Sequence, residues 1–425
     1  MNLKRSFVLF VSLLFLNLLS AEGKILTIED AVRLAKENNI SVKTAENNLD
    51  SLAVQNKYSW NSVSPAAKLD GKFVDDIEND STDFSLSGAV SLSLKTNLYS
   101  EIKGAKLNYE KGLLTYSEAV RQIELSVRKK FYNLIYQKEN LVLQNRSLET
   151  SRTQYLNNEE KFKNGKISEL DAFTSRVNYE SKKPVVESAE INFQNDLASF
   201  KQLLGIPQET EIALDGSLDD FLNLKEISFG LLPKVDEPAP DVKSAEYDVE
   251  IAKNSLLNLR FSAYAPVITG SYSYGKSKKS MQDDWMTTNR LSVGVSVPLD
   301  GILPWSSSAV KIKEQKNALD TAEKVLEDAK TTVAVQTESY IRKINQAVKQ
   351  LDSLKSTEKL AEQTYKMTLA AYNYGKTDFL SLQNANDSVL SAGVNLKSQA
   401  YTLISTILDL ESVLGLEFGT LETKK

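Results

Sequence analysis

The 425-residue chain contains no cysteine and no histidine. Without cysteine there is no disulfide framework, no thiol nucleophile and no thiolate metal centre. Without histidine, Ser-His-Asp triads and His-based zinc sites are excluded. Positive charge is not in excess either: the formal net charge is -5, so no basic field exists to attract nucleic acid. Beyond the N-terminus no stretch is long and apolar enough for a transmembrane helix, so any membrane insertion must use strands. Between Leu113 and Phe162 proline and glycine are missing as well.

That last absence frames what is present. Leu113, Val120, Val127, Leu134, Leu141, Leu148, Tyr155 and Phe162 fall at every seventh position. The period marks one seam of a long helix packed with a left-handed lean. Ser100 offers an N-cap, and Asn164-Gly165 is a stop signal. About 64 residues at ~1.5 Å each give a rod of roughly 95 Å, which a small globular domain does not need.

Residues 1–21 read as a secretory signal peptide. Lys4 and Arg5 form its positive region and Phe7 to Leu19 its apolar region, with cleavage after Ala21 or Gly23. The alternative is a membrane anchor, for which the apolar run is short. No cysteine follows it, which excludes a lipid anchor at a lipoprotein-type site.

A short helix is expected over Thr27–Asn38, capped by Thr27 with Asp30 three residues on. A second runs from Ser41 to Val63 and ends at Pro65. The period then changes to two. Leu69, Gly71 and Phe73 alternate with Lys68, Asp70 and Lys72. After a polar loop (75–83), Phe84, Leu86, Gly88, Val90, Leu92 and Leu94 alternate with small polar residues. This matches either a tilted strand crossing a bilayer with one wet side or a hairpin over a soluble core. A helix from Glu169 to Leu204 follows, with a kink or break expected at Pro184. Residues 206–240, carrying four prolines, read as a connector with little regular structure.

The arrangement then recurs. Val42-Lys43 returns as Val242-Lys243, Pro65 as Pro266, Tyr155 as Tyr365, Gly165-Lys166 as Gly375-Lys376, and Leu204-Gly205 as Leu414-Gly415. The second half has its own alternating strands, through Ile268–Tyr274 and Leu291–Leu299, joined by a polar loop holding Trp285. Its long helix runs from about Ser306 to Tyr374, with a stripe of Leu326, Val333, Tyr340, Ala347, Leu354 and Ala361. The last helix carries Leu382, Val389, Leu396, Leu403 and Leu410. The expected organisation is a first repeat over 22–205 (strands about 66–95, long helix about 100–164), the connector, a second repeat over 241–415 (strands about 266–299, long helix about 306–374) and a tail, 416–425.

Four strands cannot close a membrane barrel, which needs about eight or more, and an open edge in lipid leaves amide groups unpaired. The chain must therefore associate with copies of itself. The fold class expected is mainly α with a membrane β-barrel contribution: two tandem repeats of long helices, each with an inserted β-hairpin. The assembly would be a short barrel continued by a tube of helices.

This organisation resembles the TolC-type outer-membrane efflux channel family over almost the whole mature chain. The likeness is carried by Leu26-Thr27-Ile28-Glu29-Asp30-Ala31 and by Pro240-Asp241-Val242. It is carried also by the turns Phe162-Lys163-Asn164-Gly165-Lys166 and Tyr372-Asn373-Tyr374-Gly375-Lys376, and by the two Leu-Gly ends. The resemblance implies a homotrimer with a twelve-stranded barrel and a helical tunnel, in the outer membrane and reaching into the periplasm. It further implies an equatorial belt formed by the connector and tail. A periplasmic adaptor and an inner-membrane transporter would be its partners, alongside outer-membrane lipid, with no cofactor and no metal. A periplasmic gate is implied at Asp171 and Tyr372. Ser381 and Asn384 stand where the family often carries aspartate, and Thr377 where arginine is common, so an acidic ring is doubtful. Asp378, one turn earlier, is a substitute source of charge. Asn164, Gly165, Lys166, Tyr374, Gly375 and Lys376 match the tips that seat an adaptor, though as turns they need no further role. Scattered Asp and Glu on amphipathic helices read as solvated faces, so no catalytic residue is expected. The competing function is a structural or adhesive coiled-coil protein of the cell surface.

Overall fold

The computed structural model describes residues 24–77, 81–222, 238–279 and 284–421. The signal peptide, most of the connector's second half and the last four residues lie outside them. Chain order is β1 (Lys24–Leu26), α1 (Ile28–Asn38), α2 (Ile40–Lys57), β2 (Ala66–Asp76), β3 (Ser81–Lys95), α3 (Leu98–Lys163), α4 (Glu169–Leu204), β4 (Ile212–Leu214), α5 (Pro240–Tyr264), β5 (Val267–Lys278), β6 (Met286–Ser296), α6 (Ser307–Asn373) and α7 (Phe379–Leu414). The described residues form two compact units, one within 1–43, 119–236 and 335–425 and the other within 44–118 and 237–334.

The first unit holds the main core. Leu134, Phe200, Leu204, Ile344, Leu403, Ile404 and Leu408 are almost fully enclosed there. The α7 stripe is buried at Leu382, Leu396, Leu403 and Leu410, with Val389 half-buried. The α3 stripe is buried only at its middle, at Val127 and Leu134, while Leu113 and Phe162 are about two-fifths exposed. Thr27 caps α1, its hydroxyl accepting from the Asp30 N–H at 3.2 Å. Gly205 and Gly415 end α4 and α7 with φ of 67° and 71°. At both ends paired bonds return to the helix's last carbonyls, such as Ile206 N–H to Lys201 O at 3.1 Å and Leu416 N–H to Glu411 O at 2.9 Å, the usual left-handed helix end.

Beyond α7 the tail folds back. The enclosed Glu411 carboxylate accepts from the backbone N–H of Gly419 at 3.0 Å and of Leu421 at 2.7 Å. Arg121 donates to the Glu411 carbonyl at 2.6 Å and lies over the Phe418 ring. The connector is less irregular than expected. Residues Ile212–Leu214 form β4, which pairs in parallel with β1, Leu26 opposite Leu214.

The second unit contains a four-stranded antiparallel sheet in the order β2-β3-β5-β6. β2, β3 and β5 outrun their alternating segments, because backbone pairing continues after the side-chain pattern fades: β2 and β3 pair as far as Asp76 with Ser81. β6 starts earlier than expected, at Met286, and stops at Ser296, short of Val297 and Leu299. Beside it α3 meets α5, where the buried Asn254 donates to the Ser100 carbonyl at 2.8 Å.

Three local expectations are corrected. Ser100 is not the N-cap of α3. The helix starts at Leu98, Asn97 O accepts the Glu101 N–H, and the Ser100 hydroxyl donates back to Asn97 O at 2.7 Å. The second helix stops being α-helical at Lys57 and continues as a 3-10 turn over Ser59–Val63. Of the kink or break expected at Pro184, the break is absent: α4 is one continuous helix, since a proline removes one helical bond and its neighbours retain theirs.

Candidate functional site

The two helical hairpins of the first unit end in matching turns. Gly165 N–H donates to Phe162 O and Lys166 N–H to Lys161 O, both at 2.8 Å. Gly375 N–H donates to Tyr372 O at 3.0 Å and Lys376 N–H to Ala371 O at 2.8 Å. The glycines have φ of 65° and 68°, which side-chain-bearing residues adopt at a cost. No atom stands within 4 Å of a Cβ added at either. They are therefore required by the turn and not by crowding. Asn164, Gly165, Lys166, Tyr374, Gly375 and Lys376 are all exposed.

Past each glycine the chain starts a helix with the same device in exchanged roles. Ser168 caps α4, its hydroxyl accepting from Asp171 N–H at 3.1 Å and donating to the Asp171 carboxylate at 2.8 Å. Asp378 caps α7, its carboxylate accepting from Ser381 N–H at 2.8 Å. Those hydrogen bonds to Ser381 hold the Asp378 carboxyl below its ordinary pKa. Serine then aspartate in one hairpin becomes aspartate then serine in the other, and both satisfy the first-turn amides. Asp378 thus has a local structural task, and Ser381 and Asn384 lie exposed on α7.

Tyr372 ties the hairpins together. Its hydroxyl donates to Asn158 Oδ1 on α3 at 2.7 Å. Lys161 lies over its ring at 4.7 Å, and Phe379 meets it edge-on at 6.0 Å. Burial pushes the phenol pKa up; the Asn158 bond opposes this and the charge of Asp171 adds to it.

A polar seam above this cluster escaped the sequence reading. Ser147, Ser151, Gln154 and Asn158 are buried on α3, spaced four, three and four residues apart. The apolar stripe through Leu148 and Tyr155 is one position away and only half-buried. Lys182 on α4 reaches Ser147 at 2.9 Å and Asp387 on α7 at 2.8 Å. Among the described residues the Ser151 hydroxyl, Gln154 Oε1 and Asn158 and Asn178 Nδ2 have no partner. Unsatisfied polar groups make this seam weaker than an apolar one. The one available signal was the serine and amide spacing itself.

The sheet of the second unit has two unlike faces, and its register aligns them across all strands. One row carries Ala67, Val90, Tyr272 and Leu291; another carries Leu94, Ile268 and Val295. On the opposite face stand Ala66, Ser91, Ser271 and Ser292. Large apolar side chains of the first face are open, Leu69, Leu291 and Val293 each at 76%. Among the described residues no helix is long and apolar enough to cross a membrane, and no group of three or more Asp or Glu is placed to hold a metal ion.

Residues 231–416 match the family described as Outer membrane efflux protein. Outer membrane protein TolC of Vibrio cholerae is 19% identical over 306 residues, 71% of this chain and 69% of that one. Among solved structures, the Campylobacter jejuni CmeC outer membrane channel superposes with a TM-score of 0.76 at 18% identity, over 91% of this chain and 85% of that one. The open-state Neisseria gonorrhoeae MtrE outer membrane channel gives 0.70 at 19% identity, over 92% and 89%. The fold is that of these channels.

Proposed function

We propose, from the premise that the chain belongs to the outer membrane efflux protein family, that three copies form an outer-membrane channel, a passive duct reaching into the periplasm. The observation that carries this reading is the open sheet, apolar on one face and serine-rich on the other. Strands of 11 to 15 residues suffice for a tilted crossing, which needs about 9–11. Successive strands are antiparallel, so β6 runs opposite to β2. The β6 of one copy therefore meets the β2 of the next in antiparallel pairing, and the ring closes without a lipid-exposed edge. Three copies give twelve strands, with the apolar rows toward lipid and the serine rows toward the lumen. A purely structural rod leaves this sheet without a role.

A periplasmic adaptor and an inner-membrane transporter deliver the cargo. The exposed hairpin tips, Asn164 to Lys166 and Tyr374 to Lys376, seat the adaptor. Tyr372, Asp171 and the Asn158 bond form the constriction's internal tie. Ser381 and Asn384 add no charge there, and Asp378 adds little beyond its cap. Selection among cargoes rests with the transporter. The test is reconstitution of the purified protein in a planar bilayer. Discrete conductance steps are expected; a protein that binds bilayers without conducting contradicts the duct.

A further inference from the structure

A second apolar stripe runs along α4, away from the buried Ser175, Asn178 and Val186 of its inner seam. It consists of Leu170, Val177 and Pro184, at every seventh position. A matching stripe consists of Leu360 and Met367 on α6 and Tyr374, the first residue past its end. The five side chains other than Pro184 are 62–80% exposed, and Pro184 is exposed too. A seven-residue apolar period on an open helix face is the pattern of a helix–helix seam. The chain's own contacts at this end join α3 with α4, α6 and α7, and α4 with α7.

We propose that the α4 stripe of one copy packs antiparallel against the α6 stripe of the next, with Leu170 beside Tyr374, Val177 beside Met367 and Pro184 beside Leu360. This inference rests on the assembly of copies proposed above and adds which faces meet and in what register.

The register follows from levels within one chain. Copies related by rotation about an axis along the helices keep every residue at its own height. Tyr155 and Tyr179 stack with centroids 5.9 Å apart and planes 9° apart, so those positions are level across the α3–α4 hairpin. In an antiparallel pair, residue 164 is then level with residue 170. Gly375 repeats Gly165 after 210 residues, and Tyr365 repeats Tyr155 at the same offset. Gln154 donates to the Tyr365 hydroxyl at 3.4 Å, which holds the repeats level. Tyr374 therefore stands at the height of Asn164, and so of Leu170. Each further heptad carries both stripes the same distance, about 10.5 Å, so Val177 meets Met367 and Pro184 meets Leu360. The occupant of both stripes is thus a second copy of this chain, each stripe supplying what the other lacks.

The absence of native cysteine makes the test clean. Val177→Cys and Met367→Cys are placed together in the full-length protein, and the detergent-extracted particle is weighed before oxidation with copper phenanthroline. The chain should shift from its single mass to covalent dimers and trimers. Val177→Cys with Leu360→Cys should give no shift, since one heptad exceeds the ~4.4–6.8 Å Cα reach of a disulfide. In the assembled particle Val177→Cys alone should resist a water-soluble maleimide. Equal cross-linking of both pairs, no cross-linking of either, or free labelling of Val177→Cys in a multi-copy particle overturns the proposed register and leaves the duct standing. A particle of one chain before oxidation sinks the duct reading itself.

Discussion

Replacing the turn glycines one at a time with alanine separates two reasons for needing glycine. At Gly165 and Gly375 φ is 65° and 68°, and nothing lies within 4 Å of the added Cβ. Alanine there incurs only the left-handed penalty, about 1–2 kcal/mol. At Gly205 φ is 67°, and the added Cβ would lie 2.8 Å from the Asn38 carbonyl oxygen and 2.9 Å from its carbon. Those are main-chain atoms at the end of α1, and Asn39 Nδ2 already binds Leu203 O at 2.8 Å. They yield only if α1 and α4 part, which adds roughly 1–3 kcal/mol of overpacking. Gly205→Ala should therefore cost about 2–5 kcal/mol. Thermal unfolding followed by circular dichroism at one fixed scan rate ranks the three variants. Gly165→Ala and Gly375→Ala should fall together by a few degrees, and Gly205→Ala clearly further. Equal losses at all three, or a tip variant below Gly205→Ala, refutes the argument from crowding.

Other predictions follow from the same geometry. Ser168→Ala removes the cap of α4 and should cost about 1 kcal/mol, read as roughly fivefold faster hydrogen exchange at the Asp171 amide; unchanged exchange means the cap is idle. Burial raises the Glu411 carboxyl above its ordinary 4.5, against opposing hydrogen bonds from Leu421 and Gly419. Its stabilising contribution is therefore present below the ordinary value and lost as pH rises through the raised one. The unfolding midpoint of the native protein should thus fall, relative to that of Glu411→Gln, as pH rises through that range; a constant difference contradicts the shift. Single cysteines at Val90 and Val295 should be shielded by lipid, whereas those at Ser91 and Ser296 should react with a water-soluble thiol reagent. Equal labelling at all four rejects the assigned faces.

Much of the fold was legible because its signals are periodic. The α7 stripe, the two hairpins and the four Gly ends all stand in the sequence at the positions the structure uses. Thr27 read as a cap because a side-chain oxygen three residues before an acidic residue has few other local tasks; Ser168 stands in the same relation to Asp171 and was not read so. The β1–β4 pair was not legible: three residues show no period, and their partners lie 188 positions apart. The distal half of α3 misled for a different reason. Its apolar positions face outward or sideways, and the inner positions carry Ser147, Ser151, Gln154 and Asn158, which a hydrophobic template passes over. At the tips the family resemblance named Asp171 and Tyr372 for a gate, a role that stays a proposal. The sequence did not show that Asp378 is a cap, because serine and aspartate exchange places between the hairpins.

The central claim is that one chain supplies a third of a closed barrel. Native mass spectrometry of the protein extracted in detergent from outer membranes tests it most directly. The account predicts a particle of three chains, with twelve strands and no free sheet edge. A stable single chain extracted from the membrane, its four strands unclosed, contradicts it.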